Sequence, residues 1–195
     1  MVRPIDEVPW ADAETVFGTR GDPARCWCQF YKVTNSEWGQ LGGTGCAAQL
    51  SAQVRAAQRH DGAPTPGLVA YLDDEPVGWV AVEPRTKYPT AMRGRVVTGG
   101  STETPDDESV WAIVCFVVRV GYRRRGVAGT LISAAVEHAR RLGARVLEGY
   151  PVDVLERGKV SAAALYHGTV TLFEGAGFGV TARPLPGRAL MRLTL

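Results

Sequence analysis

The residues best suited to chemistry form one run, Val118-Arg119-Val120-Gly121-Tyr122-Arg123-Arg124-Arg125-Gly126-Val127-Ala128-Gly129-Thr130-Leu131. An apolar stretch ends there in a basic, glycine-containing turn, and an amphipathic stretch follows. Such a turn builds an anion site. The first turn of a helix leaves backbone N–H groups without partners, and the aligned peptide dipoles add partial positive charge. Gly126, Ala128 and Gly129 keep the turn free of bulk, so a pyrophosphate can approach the backbone closely. Arg123, Arg124 and Arg125 add fixed charge and donors suited to phosphate. The rival reading is a solvated helix end that three arginines merely cap. Cations at that end oppose the dipole by roughly 0.3–1 kcal/mol each, so the pattern asks for an anion. A Walker-type loop does not fit, because no G-K-[ST] follows the glycines. Dinucleotide binding of the Rossmann type does not fit either, because G-x-G-x-x-G is absent.

The other reactive side chains make no comparable cluster. Cys26 and Cys28 flank Trp27, Cys46 and Cys115 stand alone, and His60, His138 and His167 are scattered. No C-x-x-C pair or second ligand pair supports zinc, and no metal is expected. Four cysteines in a chain of this size do not make a disulfide scaffold, so reduced, mostly buried thiols are expected. No Cys-His-Asp order suggests a covalent enzyme. Trp27, Tyr31, Trp38, Trp79 and Tyr150 suit either core packing or an acceptor pocket.

The elements that must position the basic turn are legible around it. Residues 110–118, Val-Trp-Ala-Ile-Val-Cys-Phe-Val-Val, are dense in β-branched and aromatic side chains and read as a central strand. Residues 127–142 read as a helix with Leu131, Ile132, Ala135, Val136 and Ala139 on one face, Glu137, Arg140 and Arg141 on the other, and Gly143 as its end. Upstream, residues 12–17 suggest a short helix, 26–33 a compact aromatic segment, and 47–58 a helix closed by His60-Asp61-Gly62. Residues 67–72 and 77–82 read as a hairpin joined at Asp73-Asp74-Glu75-Pro76. Residues 84–108 form a long connection, to be expected as a lid or a disordered segment. Downstream come a strand at 144–150, a helix at 161–174 that Gly168 can break, and one or two strands to Leu195. The order specifies a mixed α/β domain.

The bulk composition is consistent with that. A length of 195 residues suits one domain with one substantial core, and 45% hydrophobic with 22% charged residues is ordinary for a globular chain. A net charge of +2 gives no reason to expect nucleic acid or an anionic membrane as partner. No apolar run approaches the roughly 18 residues of a membrane span. Asp6 and Glu7 lie where a signal peptide is apolar, so a cytoplasmic location is expected.

Arg123-Arg124-Arg125-Gly126-Val127-Ala128 resembles the [QR]-x-x-G-x-[GA] signature of the GNAT N-acetyltransferase superfamily, and Leu172-Phe173-Glu174-Gly175-Ala176-Gly177-Phe178 is similar to its later L-Y-x-x-x-G-F. The resemblance covers roughly residues 67–178, with 1–66 a variable N-terminal part and 179–195 a terminal strand region. It implies a mostly antiparallel sheet splayed between its fourth and fifth strands, and acetyl-CoA as co-substrate. The pantetheine would lie in the splay along Phe116, Val117 and Val118. The turn from Arg123 through Arg124, Arg125, Gly126, Val127, Ala128 and Gly129 to Thr130 would hold the pyrophosphate. An unpaired strand edge is a sound receptor for an amide-rich arm. The acceptor would be a small-molecule or peptidic amine, acetylated directly in a ternary complex. Such folds can pair into homodimers, which this sequence leaves open.

The resemblance is less complete at the catalytic groups. Ala112 stands where histone-type members carry a glutamate base. Leu147-Glu148 is similar to the Leu-Glu of protein N-terminal acetyltransferases, which makes Glu148 the candidate base; pairing with an arginine is its alternative role. Phe173 replaces the usual acid tyrosine and cannot donate a proton. Tyr166, where many members carry an asparagine, is then the candidate acid, and packing at a helix start is its alternative; His167 is adjacent. Phe173 also keeps open a different class of function, an acetyl-CoA-binding sensor or interaction module with little catalysis. Nucleic-acid binding by the arginines is disfavoured, because no RNA or DNA module frames them.

Overall fold

A computed structural model describes residues 1–59, 64–158 and 160–195. In chain order the elements are β1 (Val2–Pro4), α1 (Trp10–Phe17), α2 (Gly21–Cys26), α3 (Asn35–Gln58), β2 (Leu68–Leu72), β3 (Glu75–Pro84), α4 (Pro89–Met92), α5 (Arg95–Thr98), β4 (Val110–Val118), α6 (Val127–Arg141), β5 (Val146–Gly149), α7 (Val154–Arg157), α8 (Val170–Glu174), β6 (Gly179–Leu185) and β7 (Arg188–Thr194). The strands form one mixed sheet in the order β1-β2-β3-β4-β5-β7-β6. Only β4 and β5 run parallel; every other neighbouring pair is antiparallel. The mixed α/β class and the mostly antiparallel sheet are therefore as expected.

Local chemistry accounts for most boundaries. The β2–β3 hairpin turns at Asp73 and Asp74, both at positive φ (53° and 63°), which short acidic side chains tolerate better than most. α6 buries Leu131, Ile132, Ala135, Val136 and Ala139 and leaves Glu137, Arg140 and Arg141 exposed, and Gly143 beyond its end sits at φ 80°. α3 starts well before the expected Ala47. Thr34 and Glu37 close a capping box at its start, and Gly42 (φ 57°) kinks it. The His60-Asp61-Gly62 end expected for that helix lies outside the described residues. The expected 161–174 helix is interrupted: a 3-10 turn Ala162–His167 ends at Gly168 (φ 74°), and α8 starts anew from Thr169, whose hydroxyl accepts from the Leu172 N–H at 3.2 Å. β1, an unforeseen short strand, extends the sheet by pairing with β2.

Two layers cover the sheet. On one face Trp111, Ile113, Phe116 and Leu147 pack with α6 and α8; on the other, Ala112, Val114, Cys115 and Val117 pack with α1 and α3. Strict alternation would place Val114 and Cys115 on opposite faces. They share one because β4 carries a bulge at Val114, where Ala81 pairs with Cys115 and Val82 with Ile113. The bulge thereby turns Phe116 toward Phe173, at 6.1 Å between ring centroids.

The 84–108 connection is ordered. Its short helix α4 is tied to the aromatic N-terminal segment by Thr90 N–H donating to Tyr31 O (3.1 Å) and Thr90 Oγ1 to Val33 O (2.6 Å), and α5 packs against β6 and β7. The acidic part of this connection is pinned by ion pairs: Glu103 with Arg145 (2.7 Å) and Arg192 (2.8 Å), and Asp107 with Arg145 (2.8 Å). No helix among the described residues is long and apolar enough to cross a membrane.

His138 gives the fold a testable pH dependence. It is buried on α6, edge-on to Trp111, with Nε2 unpartnered and Nδ1 facing the Arg141 guanidinium at 3.2 Å. Burial, aided by Arg141, pushes its pKa down to about 4 from 6.5. The unfolded chain takes up this proton as pH falls below 6.5, whereas the folded chain resists until about 4, so stability falls across that window and levels off below it. Urea denaturation at a series of pH values should show this loss reduced by about 2–3 kcal/mol in His138→Gln. An unchanged pH slope in the variant would contradict it.

Candidate functional site

The parallel ladder between β4 and β5 is short. It runs from Val110↔Val146 to Ile113↔Gly149 and stops. Beyond it β4 continues through Cys115, Phe116, Val117 and Val118 with β3 as its sheet partner. After Gly149 the chain veers toward β7 and α8, where Val152 bridges both Arg188 and Thr169. Phe173 lies against Gly149, where a Cβ would stand 2.0 Å from its ring. The strands therefore splay as the resemblance implied, and the 3-10 turn Ala162–His167 packs against β4 there.

At the end of β4 the basic turn leads into α6. Gly126 sits at φ 78° as its N-cap, without a side-chain cap, and Arg124 also adopts positive φ (60°). A left-handed arginine costs roughly 1–2 kcal/mol; strain of this kind persists where the surroundings require the conformation. The first hydrogen bond of the helix is Thr130 N–H to Gly126 O at 3.0 Å. The N–H groups of Val127, Ala128 and Gly129 find no backbone acceptor among the described residues. A Cβ on Gly126 or Gly129 would point into open space. Gly78 of β3 brings the turn down onto the sheet, because a Cβ there would clash with Val127 at 2.8 Å and Val117 O at 3.2 Å. Arg123 Nε donates to Val118 O at 3.2 Å, and Arg125 lies over the Tyr122 ring at 5.5 Å. None of the three arginines pairs with a carboxylate among the described residues. Phe116, Val117, Val118 and the stretch from Arg123 to Thr130 thus adjoin one another, and the turn presents free donors and uncompensated positive charge that suit a diphosphate.

On the opposite flank of the splay is a cleft of about 270 Å³, lined in part by Tyr31, Val114, Tyr150, His167 and Arg188. The Tyr31 hydroxyl lies 3.0 Å from the Tyr166 hydroxyl and 3.0 Å from His167 Nε2. Burial pushes both tyrosine pKa values up, so the two hydroxyls stay protonated at neutral pH. Burial, with Arg188 adding to it, pushes His167 down to about 3, so the imidazole is neutral. Tyr166 is 38% exposed, at the surface end of the cluster.

Glu148 is placed differently. It is 1% exposed, and three donors engage its carboxylate: Ser101 Oγ at 2.6 Å, Tyr150 OH at 2.9 Å and Arg85 Nη1 at 3.3 Å. Arg85 is equally buried and also bonds Ser101 at 2.9 Å and the Thr104 carbonyl. The arginine-paired alternative is therefore the arrangement present, and Tyr150 separates this carboxylate from the cleft. Phe173 is fully buried, packed edge-on against Phe178.

Arg85, Ser101 and Arg188 were not singled out from sequence, whereas Tyr31 and Tyr150, which line the cleft, were among the aromatics that suit either core packing or an acceptor pocket. Tyr31 carried a weak signal as one of several aromatics; Arg85, Ser101 and Arg188 carried none, since their partners lie far along the chain. Burial pushes the Cys26 thiol up to about 12 and raises Cys28 and Cys46, which disfavours a nucleophilic thiolate at these three. The described residues contain no cluster of metal-ligating side chains.

Comparisons with known proteins agree with this geometry. The profile of the Acetyltransferase (GNAT) family matches residues 27–167. No curated protein matches the chain in sequence. Among solved structures, a ribosomal-protein-alanine N-acetyltransferase from Brucella melitensis is 17% identical, with TM-score 0.57 over 100% of this chain and 99% of that one. YncA, a putative acetyltransferase from Salmonella typhimurium solved with its cofactor acetyl-CoA, is 16% identical, with TM-score 0.55 over 100% and 93%. The PaiA N-acetyltransferase from Thermoplasma acidophilum, in complex with coenzyme A, is 11% identical, with TM-score 0.56 over 100% and 98%. At these identities the likeness speaks for the fold, and the profile match over most of the sequence speaks for the family: the chain belongs to the GNAT acetyltransferases.

Proposed function

We propose that this protein moves an acetyl group from acetyl-CoA to a primary amine by direct transfer in a ternary complex. The observation that carries the reading is the continuity between the splayed edge of β4 and the uncompensated positive turn at the start of α6. Val127, Ala128 and Gly129 offer their N–H groups to the pyrophosphate, with Arg123, Arg124, Arg125 and Thr130 around it. Phe116, Val117 and Val118 flank the pantetheine. Acetyl-CoA supplies an activated thioester at the end of that arm.

The cleft beside Val114 receives the amine. Its lone pair attacks the acetyl carbon; a C–N bond forms, the C–S bond breaks, and the nitrogen proton passes to water in the cleft. Tyr166 is the proton donor to the departing thiolate and recovers its proton from solvent, so the missing hydroxyl of Phe173 is replaced from a neighbouring element. The presence of a protonated hydroxyl there favours catalysis over a purely sensing role. Glu148 acts as a positioning residue. Its carboxylate holds Tyr150 and Arg85 under the cleft, and the base role suggested by resemblance would require it to give up three donors.

Two experiments test this. Calorimetric titration should show Arg124→Glu weakening acetyl-CoA at least about tenfold, with CoA release to amines falling in parallel; unchanged affinity would overturn the assignment of the turn. Glu148→Ala leaves the Arg85 charge unpaired in the interior, so urea unfolding should reveal a loss of about 3–5 kcal/mol. A variant of undiminished stability but no turnover would instead restore Glu148 as the base.

A further inference from the structure

The acceptor cleft has a one-sided charge. Arg95 and Arg188 both line it, and no aspartate or glutamate among the described residues does. Arg188, the first residue of β7, is half-buried; its Nη2 donates to Tyr150 O at 2.8 Å, and its Nε is buried without a hydrogen-bond partner. It forms no ion pair among the described residues. The nearby carboxylates are already engaged. Asp153 pairs with Arg183 and caps α7, Glu156 accepts from the Gly187 N–H at 2.9 Å, and Glu148 is matched by Arg85 beneath Tyr150. Arg157, packed against Gly187, adds a further cation beside the site. Burial lowers the Arg188 pKa, with Tyr31 and Tyr166 opposing the shift and Arg157 adding to it.

Other arginines of this chain that enter packed surroundings are compensated, as Arg85 is by Glu148. A partly desolvated guanidinium with free donors, set in a concave and otherwise apolar site, is suited to a planar oxyanion. The same positive field disfavours an ammonium and so favours the neutral amine that the reaction needs. Ala91, Val96 and Val97 of α4 and α5 supply apolar lining, Leu185 lies beside Arg188 as its cross-strand partner, and the volume suits a small ligand.

We infer that the acceptor is a small amine bearing an anionic oxyacid group, a carboxylate or phosphonate, that Arg188 grips while an apolar side chain rests on the wall of α4 and α5. The inference rests on the acetyltransferase reading and narrows its substrate class. Polyamines and other purely cationic acceptors are the class it excludes.

The test compares L-leucine, L-leucinamide, isopentylamine, the aminophosphonate analogue of leucine and spermidine as acceptors in a CoA-release assay. It is run on the parent, Arg188→Met and Arg188→Lys. The expected result is a preference of about tenfold to a hundredfold for the carboxylate or the phosphonate over the amide and the plain amine. Arg188→Met should erase that preference through KM, with Arg188→Lys restoring part of it and acetyl-CoA affinity unchanged. Equal or better use of spermidine or leucinamide, or a preference that survives Arg188→Met, overturns the inference and leaves the acetyltransferase reading standing. Absence of turnover with every amine tells against the transfer reading instead. In that event calorimetric binding of leucine and its phosphonate to the protein with CoA, lost in Arg188→Met, still supports the anion grip, and its absence in the parent overturns it.

Discussion

The short parallel contact between β4 and β5 is the constraint from which the rest follows. Four residue pairs hold the two halves of the sheet together, and the ladder ends where Gly149 yields to the ring of Phe173. From that point β4 has a backbone edge that β5 does not cover. A sheet edge is normally paired, covered or blunted; here it leads at one end to the α6 turn and at the other to the cleft beside Val114. The bulge at Val114 belongs to the same device. It re-aims the side chains of β4 so that Phe116 supports Phe173 on one face while Cys115 and Val117 seal the other.

Charge placement then separates structure from function. Arg85 lies in the interior with its counter-ion and with acceptors at both terminal nitrogens, and it anchors the 84–101 segment to β5 through Glu148 and Ser101. A buried pair of this kind adds little net stability but is costly to break. The arginines of the α6 turn and Arg188 are the opposite case, fixed cations beside free donors without a carboxylate among the described residues. In the proposed function the first set meets the anionic end of the thioester co-substrate. In the further inference Arg188 meets the acceptor.

Sequence made the first set legible and concealed the second, for a physical reason. The α6 helix, β4 and the turn between them are encoded by local periodicity and by residues adjacent in the chain, so they could be read directly, boundaries included. The capping box of Thr34 and Glu37 was equally local but easily overlooked in a glycine-rich stretch, which hid the first half of α3. The Tyr31–Tyr166 contact joins residues 135 positions apart, and the Arg85–Glu148 pair joins residues 63 apart. No spacing rule announces such contacts. The 84–108 connection read as either a lid or a disordered segment for the same reason, since the partners of Glu103 and Asp107 that fasten it are Arg145, just before β5, and Arg192 of β7. Resemblance placed Glu148 on the correct strand but could not reveal that Arg85 and Ser101 would claim its carboxylate.

The central proposal is that the stretch of β4 that β5 leaves uncovered and the first turn of α6 together grip the thioester co-substrate through backbone groups. Amide hydrogen exchange read residue by residue, with and without saturating CoA, tests it most directly. The account predicts slowed exchange confined largely to residues 114–118 and 127–130. Protection that fell elsewhere, with both of those segments exchanging as fast as in the free protein, would contradict it.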